Sequence, residues 1–210
     1  MTVPFVTGPQ DPSQLNASIN SLISTINANS GVSQVVTLQA PIAAELISIK
    51  AAATPANGTI TIAAQPDYAR RLQIRIVIGT TTTTAITAGT LTLVGVNASG
   101  QAVSEVISLI QNASATLQST NTYATLTSGT VAAYAANGSG TGNTLGIGVS
   151  AYLGLPLAPG WSNLTVYKEN VDQANETIGT VDYTSGSVSP TTAPNASHNF
   201  NFYYTFSTAE

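Results

Sequence analysis

From about residue 35 onward the apolar and polar positions alternate with a period of two. Leu72, Ile74, Ile76 and Ile78 alternate with Arg71, Gln73, Arg75 and Val77. That pattern predicts a strand with one buried and one wetter face. Residues 90–96 alternate in the same way, meet the turn residues Asn97 to Gly100, and give way to a second alternating run over 102–110, which predicts a β-hairpin. Further strands are predicted over 59–63, 123–127, 130–135, 144–152, 163–167, 177–183 and 199–206. Turn chemistry separates them at Asn57-Gly58, Gln65-Pro66-Asp67, Ser128-Gly129, 137–142, 155–160 and Ser185-Gly186. Residues 42–53 read two ways: their Ala-rich composition favours a helical turn, their β surroundings a strand.

The first 31 residues follow a different period. Asp11-Pro12 supplies an N-cap and a proline at the first helical position. Leu15, Ile19, Leu22 and Ile26 then recur at spacings of 4, 3 and 4, one face of a helix that fits a short heptad seam. Asn29-Ser30-Gly31 stops it. Such a short helix is marginal alone, so it packs either on its own domain or on copies of itself or a partner particle. Residues 1–10, with Pro4, Gly8 and Pro9, read as an extended arm. The expected division is therefore 1–31 as an anchoring or oligomerising arm and helix, and 32–210 as a domain of many short strands: an all-β β-sandwich, jelly-roll or immunoglobulin-like.

Composition changes the picture of the surface. Of 210 residues only 7% are charged, five Lys+Arg and nine Asp+Glu, against about 25% in an ordinary domain. Thr, Ser, Asn, Ala and Gly stand in their place. With no Cys and one His, disulfide scaffolds, thiol nucleophiles and His-rich metal sites are excluded. A net charge of −4 with five cations excludes ordinary nucleic-acid binding and electrostatic attraction to anionic membranes. No window approaches 18 uninterrupted apolar residues, and residues 1–10 lack a basic n-region, so neither a membrane span nor a secretory signal is expected. The recurrent Asn-x-Ser/Thr triplets are read as composition. A polar surface without charges can be buried without stranding an ion, yet lacks the charged residues that protect exposed sheet edges. Covered edges, in an assembly, are therefore expected.

Candidate chemistry is sparse, and the chain is not expected to be an enzyme or to hold a metal or cofactor. His198 reads as a strand-end residue. Glu45, Asp67 and Glu105 stand singly, not as the carboxylate pair of a glycoside hydrolase. Glu169, Asp172 and Glu176, with Lys168 beside them and Asp182 downstream, read as a solvated loop, with a calcium site as the alternative. The Gly-rich run 138–142 lacks the lysine of a phosphate cradle. Trp161 reads as a core or loop anchor. Arg70, Arg71 and Arg75 hold three of the five cations; they pair with Asp67 and Glu105 or face a partner. No charge occurs between Glu105 and Lys168, and that stretch is where contacts between copies are expected.

Four runs carry a resemblance: AQPDYARRLQIRIVI at 64–78, ITAGTLTLVGVNASGQAVSEV at 86–106, TGNTLGIGVSAYLGLP at 141–156 and TIGTVDYTSGSVSPTTAPN at 177–195. Together they make residues 59–206 similar to β-sandwich structural proteins of tailed bacteriophages. Tyr68-Ala69 and Asn143 depart from that pattern, which often has Val-Pro and Asp there. The resemblance implies a virion structural protein located in the particle. The first expectation is a capsid decoration (cement) protein, a homo-oligomer, a trimer, seated on the major capsid protein. The alternative is a head-fibre, neck or tail component with a glycan- or receptor-binding sandwich. Partner contacts would then involve Leu15, Ile19, Leu22 and Ile26, and the charges of Arg70, Arg71 and Arg75.

Overall fold

The computed structural model describes residues 32–79, 89–109, 113–133, 143–156, 163–172 and 174–207. The proposed seam of Leu15, Ile19, Leu22 and Ile26, and also Trp161, lie outside the described residues. The chain is all-β: among the described residues there are strands and turns and no helix. None of these residues forms a helix long and apolar enough to cross a membrane.

In chain order the strands are β1 Val32–Leu38, β2 Glu45–Ala53, β3 Gly58–Thr59, β4 Arg70–Val77, β5 Gly89–Val96, β6 Ala102–Leu109, β7 Ala115–Tyr123, β8 Thr125–Ala132, β9 Thr144–Gly154, β10 Asn163–Val171, β11 Ala174–Glu176, β12 Thr180–Asp182, β13 Ser187–Ser189 and β14 Phe200–Ser207. They form three sheets. One has the order β1-β14-β10-β11. The second runs β12-β13-β9-β4-β7, with β2 also joined to β9. The third runs β3-β8-β5-β6.

Strand β9 is the hub. Its first half pairs with β2 and its last residues with β13 on one edge, while β4 lies along the other. It is buried at nearly every position, whereas β4 alternates between buried and half-exposed. Two apolar clusters form around it. The larger joins Leu72, Ile74 and Ile76 of β4 and Leu145, Ile147 and Val149 of β9 to Leu91 and Leu93 of β5 and Leu126 and Val131 of β8. It thus lies between the second and third sheets. The smaller gathers Leu38, Leu153, Val171, Val188, Phe200, Phe202 and Tyr204 against the first sheet. There the Phe200 and Phe202 rings stack with centroids 6.1 Å apart, and burial pushes the Tyr204 phenol up to about 12.

The β5–β6 hairpin forms where the alternation places it. The Asn97 Oδ1 atom accepts the N–H groups of Ser99 and Gln101, and Gly100 takes φ +77°, which closes the turn. Other expectations need correction. Of residues 42–53, which read either as a helical turn or as a strand, 45–53 form strand β2. Ser128-Gly129 is not a turn: β8 runs through it, because Gly129 leaves room for Ile60, whose Cδ1 would lie 2.6 Å from a Cβ there. The strand predicted over 123–127 is interrupted at Ala124: Tyr123 ends β7 and residues 125–127 open β8. Strand β7 was not anticipated, since its Thr, Gln, Ser and Asn residues blur the alternation.

Candidate interaction surface

Most of the described charges are consumed inside the fold. Arg70, at the start of β4, is fully buried. Its Nε donates to the Ser150 carbonyl at 2.9 Å and its Nη1 to the Ile42 carbonyl at 2.8 Å and to Asp67 at 3.1 Å. Asp67 in turn accepts the Ile42 N–H. Burial lowers the Arg70 pKa and the adjacent Asp67 charge opposes that shift. Arg71 bonds Asp182 and Ser185 and lies over the Tyr152 ring, 4.6 Å from its centroid. Arg75 is exposed beside a hollow of about 410 Å³ that it lines with Ser114 and Thr116. Of the three arginines singled out in the sequence, then, one is buried, one is largely buried and one faces solvent.

The acids do not converge. Glu169, expected in a solvated loop, is instead fully buried on β10, and its carboxylate accepts the N–H groups of Gly179 and Thr191. Glu176 stands opposite it in the β10–β11 register. Asp172 occupies the turn between those strands and binds His198 Nδ1 at 2.6 Å and the Asn199 N–H at 2.8 Å. His198 is thus a strand-end residue tied to that turn. Asp182 belongs to β12, in a different sheet. Among the described residues no cluster of His, Asp and Glu could hold a metal ion.

Two carboxylates tie stability to acid pH. The Asn199 N–H and His198 hold Asp172 below its ordinary range. Burial pushes Asp182 up, but the N–H groups of Ser185 and Thr184 and the Arg71 guanidinium outweigh it and hold that carboxyl low. A depressed folded pKa gives stability that is present above the unfolded value of about 3.9 and lost as pH falls through the folded one. The melting temperature is expected to fall on acidification below about pH 4, and Asp182→Asn to flatten that fall, as thermal scans across acid pH will show.

Against this internal use of charge, the outer face of the third sheet has none. The register of β5 with β6 and β8 aligns its outward residues in rows: Ala132, Thr90 and Ser108; Thr130, Thr92 and Val106; Ser128, Val94 and Ser104; Thr125, Val96 and Ala102. Thr59 of β3 extends the second row. Val106 is 64% exposed and Val94 36%. The sheet's single charged residue, Glu105, alternates to the inner side with Val103 and Ile107. There its Oε2 accepts the Thr120 and Asn121 N–H groups of β7 at 3.0 and 3.1 Å. Burial, with the Glu105 charge adding to it, raises the nearby Tyr123 phenol far above its ordinary pKa. The result is a four-stranded platform of Thr, Ser, Val and Ala that a protein surface can cover without desolvating an ion.

Comparison with protein-family models, with curated proteins and with solved structures gave no match.

Proposed function

We propose that this chain is a structural subunit of a tailed-phage virion, in the first instance a capsid decoration (cement) protein, built as a β-sandwich whose third sheet packs on its neighbours in the shell. The observation that carries the reading is the uncharged outer face of that sheet, with Glu105 turned inward. Free soluble domains scatter charges over such a face; a sheet that is covered in its working state has no need of them. In this reading residues 1–31 form the arm and helix that anchor the subunit or join copies, as a trimer, and the major capsid protein is the partner. The four-run resemblance supports the same class.

A second reading, a head-fibre, neck or tail component that binds glycans, is favoured by one feature. A cleft of about 300 Å³ is lined by Thr37, Gln39, Asp172, Asn199 and Asn201, a set rich in the amide and carboxylate groups that bond sugar hydroxyls.

The test combines imaging with a surface variant. Intact particles should show the chain in many copies on the head exterior with the third sheet covered. Thr92→Lys/Thr130→Lys puts two charges at the centre of the platform without touching the core. It is expected to weaken particle binding at least tenfold, with unchanged circular dichroism. Binding equal to wild type overturns the role of this face. Copies found only at a tail or fibre tip overturn the decoration reading in favour of the second.

A further inference from the structure

Among the described residues Lys50, like the exposed Arg75, belongs to no ion pair, and unlike Arg75 it is drawn partly out of water. It sits on β2, half-buried, and its ammonium donates to the Leu145 carbonyl at 2.8 Å and to the Ala51 carbonyl at 3.0 Å. An ammonium has three donors, so one proton remains. The ion pairs among the described residues belong to Arg70, Arg71 and His198; none reaches Lys50. Lys50 lines a hollow of about 330 Å³ whose other walls are uncharged, among them Ala53, Ala56, Thr59, Ile60 and Thr61. Burial lowers the Lys50 pKa, as expected of an ammonium drawn away from water.

The position of the hollow gives it a context. Thr59 is both one of its walls and the end of the row that continues through Thr130, Thr92 and Val106. The hollow therefore borders the uncharged platform on its β3 side. The platform rows offer a covering partner no charge, and Lys50 stands in the hollow at their β3 border.

We propose that the Lys50 hollow receives a carboxylate carried on a short apolar stem, the Asp or Glu side chain of the protein that covers the third sheet. The stem packs among Ala53, Ala56 and Ile60, and the carboxylate accepts the free ammonium proton while Thr59 and Thr61 offer hydroxyls. A phosphate group fits less well, because it is satisfied by several donors or a guanidinium fork, and the hollow offers one cation. The pair would be sheltered from water on both sides, where a matched charge fixes register and an unmatched one is costly. This inference rests on the assembly reading for the partner, but not for the subsite.

The probe is butyrate, a carboxylate on an apolar stem, against butyramide, its neutral counterpart of the same shape. Each is titrated into the full chain with methyl groups labelled for NMR. Saturable shifts of the Ile60 and Ala53 methyls with butyrate, at least tenfold weaker with butyramide, are expected. Lys50→Met, which keeps the stem and removes the charge, should abolish them and should weaken binding to particles at least tenfold. Equal shifts from the two compounds, or none from butyrate, overturn the subsite without any reference to assembly and without a variant that must fold. Butyrate saturation together with unimpaired particle binding by Lys50→Met overturns the partner assignment. If Thr92→Lys/Thr130→Lys binds particles as wild type while butyrate still saturates, the platform reading fails and the subsite stands.

Discussion

Replacing Arg70 by Met is expected to destabilise the domain by about 3–5 kcal/mol, the range for breaking a buried ionic network by removing one member. The side chain is fully buried, yet it is not a hydrophobe misplaced: it joins three pieces of chain distant in sequence. Its Nε holds the Ser150 carbonyl of β9, and its Nη1 holds both the Ile42 carbonyl ahead of β2 and Asp67 ahead of β4. Met fills the volume but takes the guanidinium donor from the Ser150 and Ile42 carbonyls and leaves the Asp67 carboxylate with the Ile42 N–H alone, and each stranded acceptor carries its own desolvation cost. Lysine is expected to recover only part of the loss, since one ammonium cannot reproduce the fork that reaches three acceptors at once. Denaturant unfolding measures both variants. Asp67→Asn combined with Arg70→Met should cost less than the two single changes added together, because they act on one network. A strictly additive pair, or an Arg70→Met loss below about 1 kcal/mol, the size of a single neutral hydrogen bond, would mean that the loop at Ile42 is held by something else.

That network also marks the limit of what the sequence could reveal. Strand β4 and the β5–β6 hairpin were legible because each residue's environment follows from its immediate neighbours, apolar in and polar out. The platform was nearly legible. Once the hairpin register is drawn, Thr90, Thr92 and Val94 fall beside Ser108, Val106 and Ser104, and Glu105 falls on the inner side by parity alone. What could not be read is why an inward carboxylate is tolerated there, since its donors are the backbone of Thr120 and Asn121 on a strand of another sheet. Glu169 hid in the same way: its neighbours Lys168, Asn170 and Asp172 suggest a wet loop, while its donors at Gly179 and Thr191 come from distant turns. Strand β7 escaped because Thr, Ser and Gln alternate with one another as readily as with apolar residues. In a chain with so few charges, polar residues of one size fill both sides of a strand, and the period-two signal fades wherever the inner side is not aliphatic.

Gly148→Ala is expected to be strongly destabilising, and for a reason that no composition shows. A Cβ at this position of β9 would stand 1.8 Å from the Glu45 carbonyl oxygen and 2.6 Å from the Leu46 carbonyl carbon. Both obstacles are backbone, so no rotamer change relieves them, and β2 must move as a unit. Overpacking of a core costs about 1–3 kcal/mol when side chains give way. Here the retreat of β2 also threatens Ile49, which is 1% exposed and whose side chain is worth about 1.5–3 kcal/mol when buried. The expected loss therefore lies at or above the top of the overpacking range, with faster amide exchange along β2. Two other glycines calibrate it. Gly146→Ala meets the Ile47 Cγ2 at 2.8 Å, the end of a side chain that is 47% exposed and free to turn away, so its cost should be smaller. Gly58→Ala meets nothing within 4 Å but sits at φ +112°, so its penalty is backbone strain of about 1–3 kcal/mol without release of β2. The order Gly148 above Gly146 is the decisive comparison. Because β2 carries Lys50 to the Leu145 carbonyl, Gly148→Ala should also abolish the butyrate response, whereas Gly146→Ala should keep it. Equal stability losses for the two would mean that close backbone approach is not what seats β2, and with it Lys50, on β9.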